Sequence, residues 1–163
     1  MPSQPQPFIA TVQQVKDEWI DYNGHFNMAY YCVLFDAAID EAFAQVGLGP
    51  DYVKQTNCSY FTLEAHITYL RELHARDEVL VSVQLLDYDA KRVHYIQQMH
   101  HAGEGWLSAT MEAICMHVDM DQKKAAPFGD DMRRKIAAMY EQHKGLEVPK
   151  QAGHTIGITR KVA

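Results

Sequence analysis

Asp21-Tyr22-Asn23-Gly24-His25-Phe26-Asn27-Met28-Ala29-Tyr30-Tyr31 sets a carboxylate three residues before a Gly-His turn that opens directly into a helical pattern. Gly24 permits a sharp bend or a positive φ. Asn27 is a favoured N-cap, with an amide oxygen that accepts from the first unpaired N–H groups of the helix. Those N–H groups carry the positive end of the helix dipole and form a ready anion site. A carboxylate beside them has the parts to attack a carbonyl and to stabilise the oxyanion that follows. Taken alone, the stretch fits an Asp bracing a turn slightly better than a catalytic Asp.

The surrounding pattern adds weight to the second reading. From Asn27 to Val46 the period is helical, with Met28, Cys32, Phe35, Ile39, Ala42, Phe43 and Val46 on one stripe. Gly47 and Gly49-Pro50 end it. Before it, Phe8 to Val15 alternates as a first strand. After it come a short link and a strand over Ser59 to Leu73. Glu78 to Asp87 is a second, with Val79, Val81, Val83 and Leu85 on one face. Lys91 to His101 and Trp106 to Met120 follow, joined by short turns at Asp87–Ala90 and Gly103–Gly105. Asp130 to His143 reads as a basic-faced terminal helix. The expected fold is α+β, an antiparallel sheet wrapped around one long apolar helix. Its domain spans 8–145, between a Pro-rich flexible arm (1–7) and a loose tail (146–163).

With 163 residues, 47% of them hydrophobic and 22% charged, the chain suits one soluble globular domain. A net charge of −6 without a basic stripe argues against nucleic acid or an anionic membrane as partner. Cys32, Cys58 and Cys115 are odd in number and widely spaced, which suits a reducing cytoplasm rather than a disulfide framework or zinc site. The first residues lack the basic and apolar regions of a signal peptide.

Element order together with the Asp-x-x-Gly-His-x-Asn turn resembles the hotdog-fold acyl-CoA thioesterases of the 4-hydroxybenzoyl-CoA thioesterase type, over about residues 8–140. Four segments, Trp19–His25, Ser59–His66, Asp89–His94 and Leu107–Thr110 with His117–Asp119, are similar to the betainyl-CoA thioesterases of bacterial carnitine catabolism. The resemblance implies an acyl-CoA substrate, no cofactor, and a homodimer or homotetramer with the acyl site between subunits. It implies that Asp21 acts as nucleophile or general base. It also implies that a backbone N–H at the helix start, of Met28 or a neighbour, polarises the thioester. Gly-His-Phe-Asn before the helix departs from the 4-hydroxybenzoyl-type pattern and leaves the identity of that donor open.

His25 fits a substrate-facing hydrogen-bond donor, or a turn residue bracing Asp21. Asn27 fits a cap better than a ligand. Glu64 and His66 lie two apart on a strand and face one side; both an exposed strand face and a site contribution from Glu64 fit. A betainyl group carries a quaternary ammonium, which asks for aromatic faces and carboxylates. Trp19, Tyr22, Tyr30, Tyr31, Tyr60 and Phe61, with Asp36, Asp40 and Glu64, are the available set, though core or dimer packing accounts for most aromatics. Lys91 and Arg92 are the first choice for the phosphates of CoA, ahead of Arg71, Arg76 and Lys123-Lys124. No metal motif occurs, and His100 and His101 point to opposite faces of a strand. Cys32 reads as core.

Two other functions use the same fold. Gly24-His25-Phe26 echoes the hotdog hydroxyacyl-thioester dehydratases, but their Pro-Gly-x-Pro continuation is absent and Ile39 stands where they carry a Glu. A non-catalytic acyl-CoA-binding sensor usually lacks the turn carboxylate and carries a DNA-binding arm, unlike this chain.

Overall fold

The structure, a computed structural model, describes residues 5–158 and 160. Most of the expected N-terminal arm (1–4) and the end of the expected tail (161–163) lie outside the described residues. In chain order the elements are β1 (Phe8–Ile9), β2 (Gln13–Gln14), a 3-10 turn (Asp17–Trp19), α1 (Met28–Gln45), α2 (Pro50–Thr56), β3 (Cys58–Tyr69), β4 (Glu78–Tyr88), β5 (Arg92–His101), β6 (Leu107–Asp119), β7 (Lys124–Ala125) and α3 (Asp130–His143).

All pairings are antiparallel, and the path across the sheet is β1-β4-β5-β6-β3, with β2 also on β4 and β7 on β6. β4, β5 and β6 follow one another through tight turns, as the turn residues predict. β3 does not join that meander beside β4. It pairs with β6 along its length, Cys58 opposite Asp119 and Tyr69 opposite Ala109, so the chain crosses the sheet between Tyr69 and Glu78. The expected strand to Leu73 therefore stops at Tyr69, and Leu70–Leu73 belong to the crossover. The expected first strand is two short pieces separated at Ala10–Val12, and the expected link after Gly49 contains α2, started by Pro50 at its first turn.

The concave face of the sheet takes α1. Tyr31, Leu34, Phe35, Ala38, Ile39, Ala42 and Phe43 are buried on the helix, facing Val79, Val81, Val83, Leu85, Val93, Tyr95, Met99, Ala109 and Ala113. Small Ala38 and Ala42 let the strands come close. Two members of the expected stripe are not in the core: Met28 is 65% exposed and Cys32 is also exposed. The buried face centres on Leu34, Phe35 and Ala38, which leaves Cys32 at its margin and Met28 at the open first turn.

α3 packs against β4 beside the C-terminal end of α1. Its last residue, His143, is fully buried, and its Nδ1 accepts the Leu85 N–H at 3.0 Å where the β4–β5 ladder bulges between Leu85 and Asp87. The following segment is not loose throughout: Gln151 is buried, and the Gly153 N–H donates to Glu112 Oε2 at 2.7 Å.

Two outcomes test this packing. Phe35, with no exposed surface, anchors α1; Phe35→Ala should cost about 3–5 kcal/mol in denaturant unfolding. Burial holds the His143 imidazole below its ordinary pKa, so the folded state binds fewer protons there than the unfolded chain. That contribution is present above the ordinary imidazole range and fades as the pH falls through it. The wild type should accordingly lose more thermal stability between pH 7.5 and pH 5 than His143→Gln does.

Candidate active site

The residues before α1 form a closed loop. Ile20 bridges Phe26, the Asp21 N–H donates to His25 O (2.9 Å), and the Gly24 N–H donates to Asp21 O (3.0 Å). Gly24 has φ +78°, the left-handed turn that its lack of a Cβ allows. Asp21 Oδ1 accepts from the Asn23 N–H (2.8 Å) and the His25 N–H (3.4 Å). Its other carboxylate oxygen has no hydrogen-bond partner among the described residues. The loop is tied down from both sides, by Phe26 N–H to Leu73 O (2.8 Å) and Asn27 N–H to Trp19 O (2.9 Å).

The helix start is more sharply defined than its sequence. Asn27 Oδ1 accepts the Ala29 N–H at 2.9 Å, and Asn27 O accepts the Tyr30 N–H at 3.0 Å. Met28 N–H alone among these first three has no partner among the described residues. It is the unpaired backbone donor at the positive end of α1. Asp21, His25, Asn27 and Met28 share one pocket of about 600 Å³ with Tyr31, Tyr69, Arg71 and Glu72.

The crossover after β3 supplies the residues that the sequence reading did not place here. Tyr69 Oη donates to Met28 O at 3.1 Å, and the His25 and His74 rings meet edge to face with centroids 5.4 Å apart. Glu72 is held below the ordinary carboxylate range, first by a bond from its own backbone N–H and further by His25, His74 and Arg71. The Arg71 guanidinium lies 3.9 Å over the Trp106 ring. Reading Leu70–Leu73 as strand hid this contribution.

The remaining candidates fall into separate places. Trp19 stacks on Tyr30 (centroids 5.4 Å apart, 18° between planes) and carries the Lys16 ammonium over its ring at 4.8 Å. Tyr22 is 98% exposed at the rim of the Asp21 pocket. Tyr60 faces α1, edge-on to Phe43, and donates to Asp40. Burial, then that bond, pushes the Tyr60 phenol well up, and burial with the neighbouring Asp40 raises Asp36.

Glu64 is not brought to Asp21 within the chain. A bulge between Thr62 and Glu64 in the β3–β6 ladder reverses the alternation. Tyr60 and Thr62 therefore face the helix, while Glu64 and His66 face outward. There they share a pocket with His94 and Glu112, whose Nε2 and Oε1 are 2.8 Å apart.

Lys91 and Arg92 sit at the β4–β5 turn. Arg92 Nε donates to Asp89 Oδ2 (2.8 Å), a bond that is the main cause of the low Asp89 pKa. Asp89 and Ala90 line a shallow hollow with Arg133 and Arg134 of α3, two further cations that the sequence reading left unassigned. No group of three or more His, Cys, Asp or Glu among the described residues is arranged to hold a metal ion.

Residues 15–136 match the profile of the thioesterase-like superfamily. The chain belongs to that family. A betainyl-CoA thioesterase of Pseudomonas aeruginosa is 36% identical over 144 residues, which cover 88% of this chain and 91% of that protein. A Rhizobium meliloti L-carnitine dehydrogenase/betainyl-CoA thioesterase is 33% identical across 90% of this chain, matching only 29% of its own length. Among solved structures, a hypothetical protein from Staphylococcus aureus in complex with CoA superposes with a TM-score of 0.90 at 30% identity, covering 98% of this chain and 99% of that one. The hotdog fold expected from the turn and the element order is therefore the fold of this thioesterase-family chain.

The cap offers a direct test of how the loop presents the helix. Asn27→Ala should destabilise the protein by about 1 kcal/mol in unfolding experiments, whereas Asp21→Asn, which keeps an amide oxygen for the Asn23 N–H, should leave the melting temperature nearly unchanged.

Proposed function

We propose that this thioesterase-family chain hydrolyses betainyl-CoA to betaine and CoA, with Asp21 as the reacting carboxylate and Met28 N–H as oxyanion donor. What carries the reading is that pairing: one free carboxylate oxygen and one unpaired helix N–H in the same pocket. In a nucleophilic route, Asp21 attacks the thioester carbon, the carbonyl oxygen develops charge against Met28 N–H, and CoA departs as thiolate. Water then cleaves the mixed anhydride and returns the carboxylate. In a general-base route, Asp21 takes a proton from water as that water attacks. His25 braces Asp21 through its backbone and, with His74 beside it, can meet the leaving group.

The acyl group comes from the likeness to the betainyl-CoA thioesterase of P. aeruginosa, whose length this chain nearly matches. The CoA-bound S. aureus structure supports a CoA thioester. Lys91 and Arg92, joined by Arg133 and Arg134, are proposed to meet its phosphates, with Tyr22 at the pocket rim and the Trp19–Tyr30 stack behind the loop. We further propose a cytoplasmic homo-oligomer paired through β3, with Glu64 near the seam. β3 is a twelve-residue edge strand with Phe61 and Leu63 about half exposed. A long apolar edge of this kind is normally covered. Among the described residues, no helix is long and apolar enough to cross a membrane. Ile39, only 2% exposed, occupies the helix position where the dehydratases need a carboxylate.

Thiol release from betainyl-CoA decides the matter. Asp21→Asn should lower kcat by about 10³-fold with the fold retained. Tight binding of betainyl-CoA by the wild type without thiol release would mean a sensor instead. A single turnover in ¹⁸O-water identifies the nucleophilic route if label enters the Asp21 side chain, which requires water to attack the aspartyl carbon of the mixed anhydride.

A further inference from the structure

The segment after α3 runs across the sheet and ends in two apolar side chains that a single chain leaves in water. Its Ala152 N–H donates to Pro149 O at 2.9 Å, closing a turn in which Gln151 is buried. From there the segment meets β6. Glu112 takes the Gly153 N–H on Oε2 at 2.7 Å while its Oε1 sits 2.8 Å from His94 Nε2, so one carboxylate ties the segment to two strands. One residue on, the His154 ring stacks on His66 of β3, with centroids 5.8 Å apart and 23° between planes. His66 and Glu112 are opposite each other in the β3–β6 ladder. The segment is therefore a strap that crosses the outer face from β6 to β3, the last strand of the sheet among the described residues. Past that contact come Ile156 and Ile158, 84% and 85% exposed. Phe61 and Leu63, on the edge strand itself, are about half exposed. Four bared apolar side chains along one edge mark a surface that another molecule covers.

Distance and register point to what covers it. Neighbouring strands lie about 4.8 Å apart, and an extended chain advances about 3.3 Å per residue. Gly153 to Ile158 can thus span about 16 Å, from β6 over β3 and across two strands beyond the free edge. Antiparallel pairing of β3 with a second copy about the middle of its twelve residues sets Cys58 opposite Tyr69, and with it Phe61 opposite His66. Tyr60 and Thr62 face the helix, so Phe61 between them faces outward, opposite Met116 of β6. The strap therefore leaves β3 at the position where a paired copy presents an outward Phe61.

We propose that the C-terminal strap is a clasp between subunits, in which Ile156 and Ile158 cross the paired β3 strands and pack on the partner's Phe61 and the partner's Met116. The two-fold axis repeats the contact, giving two clasps per dimer. Glu112 and the His66–His154 stack hold each strap on its own sheet and aim it at the seam. The clasp lies on the outer face and uses no group of the Asp21 pocket. The proposal rests on pairing through β3.

Subunit exchange measures the clasp. Ile156→Ser with Ile158→Ser in the full chain should speed exchange between ¹⁵N-labelled and unlabelled dimers about 100-fold, tenfold for each clasp, as read by native mass spectrometry. Neither side chain is buried in its own chain, so the change leaves the fold intact. Cross-linking places the clasp. A chain with Ile158→Cys and a chain with Phe61→Cys, both also carrying Cys32→Ser and Cys58→Ser, are co-refolded and treated with a short bismaleimide. A covalent dimer whose tryptic map joins position 158 to position 61 is expected, and that link forms only between chains. Met116→Cys takes the place of Phe61→Cys should the latter not fold. Unchanged exchange, or no such link in heterodimers seen by native mass spectrometry, would overturn the clasp while leaving pairing through β3 and hydrolysis at Asp21 intact. A wild type that sediments as a monomer would overturn the pairing, and the clasp with it.

Discussion

Burial of one side of α1 against the sheet is the constraint on which the site depends. Phe35, Ile39, Ala42 and Phe43 are each no more than 2% exposed, so the helix cannot rotate or slide without opening the core. Fixing the helix fixes its first turn, and the first turn carries the polar chemistry. Phe26 extends the anchoring into the loop: it is 4% exposed, packs on Tyr31 with ring centroids 4.3 Å apart, and gives its N–H to Leu73. The Asp21 loop is therefore as well placed as the core, although Tyr22 to His25 are exposed. A reactive carboxylate at a helix terminus gains most from that rigidity, because the donor it works with is a backbone N–H that cannot adjust by changing rotamer.

The loop also shows how one carboxylate can serve structure and chemistry together. Asp21 Oδ1 is occupied by two backbone N–H groups of its own turn, which sets the direction of the side chain. The bland reading of Asp21 as a turn residue is thus true of one oxygen. The second oxygen has no hydrogen-bond partner among the described residues. Asn27 divides its duties in the same way. Its side chain takes Ala29 N–H and its carbonyl takes Tyr30 N–H, so the unpaired donor is narrowed to Met28.

Local chemistry was legible in the sequence, and distant pairing was not. The capped helix, the positive φ at Gly24 and the tight turns of the β4–β5–β6 meander follow from residue types whose effects act within a few positions. The place of β3 does not, because a strand next to β6 and a strand next to β4 have the same alternation. The bulge at Leu63 was equally hidden: it costs no composition signal, yet it sends Glu64 and His66 to the outer face while Tyr60 stays on the helix side. The contribution of Glu72 to the Asp21 pocket was lost for a related reason, since the run from Ser59 to Leu73 reads as continuous strand.

The bulge and the strand order together explain why the functional groups look scattered in one chain. Among the described residues β3 leaves its outer edge unpaired, and it divides the helix-side pockets between its two ends, Tyr60 near one and Tyr69 near the other. A two-fold axis across such an edge turns separation along a strand into proximity between strands. A single chain holds Asp21 and Met28 at one end of α1 and keeps Asp40 about 18 Å along the helix from them. Pairing through the edge would satisfy the backbone of β3 and set its two ends against each other with the same contacts.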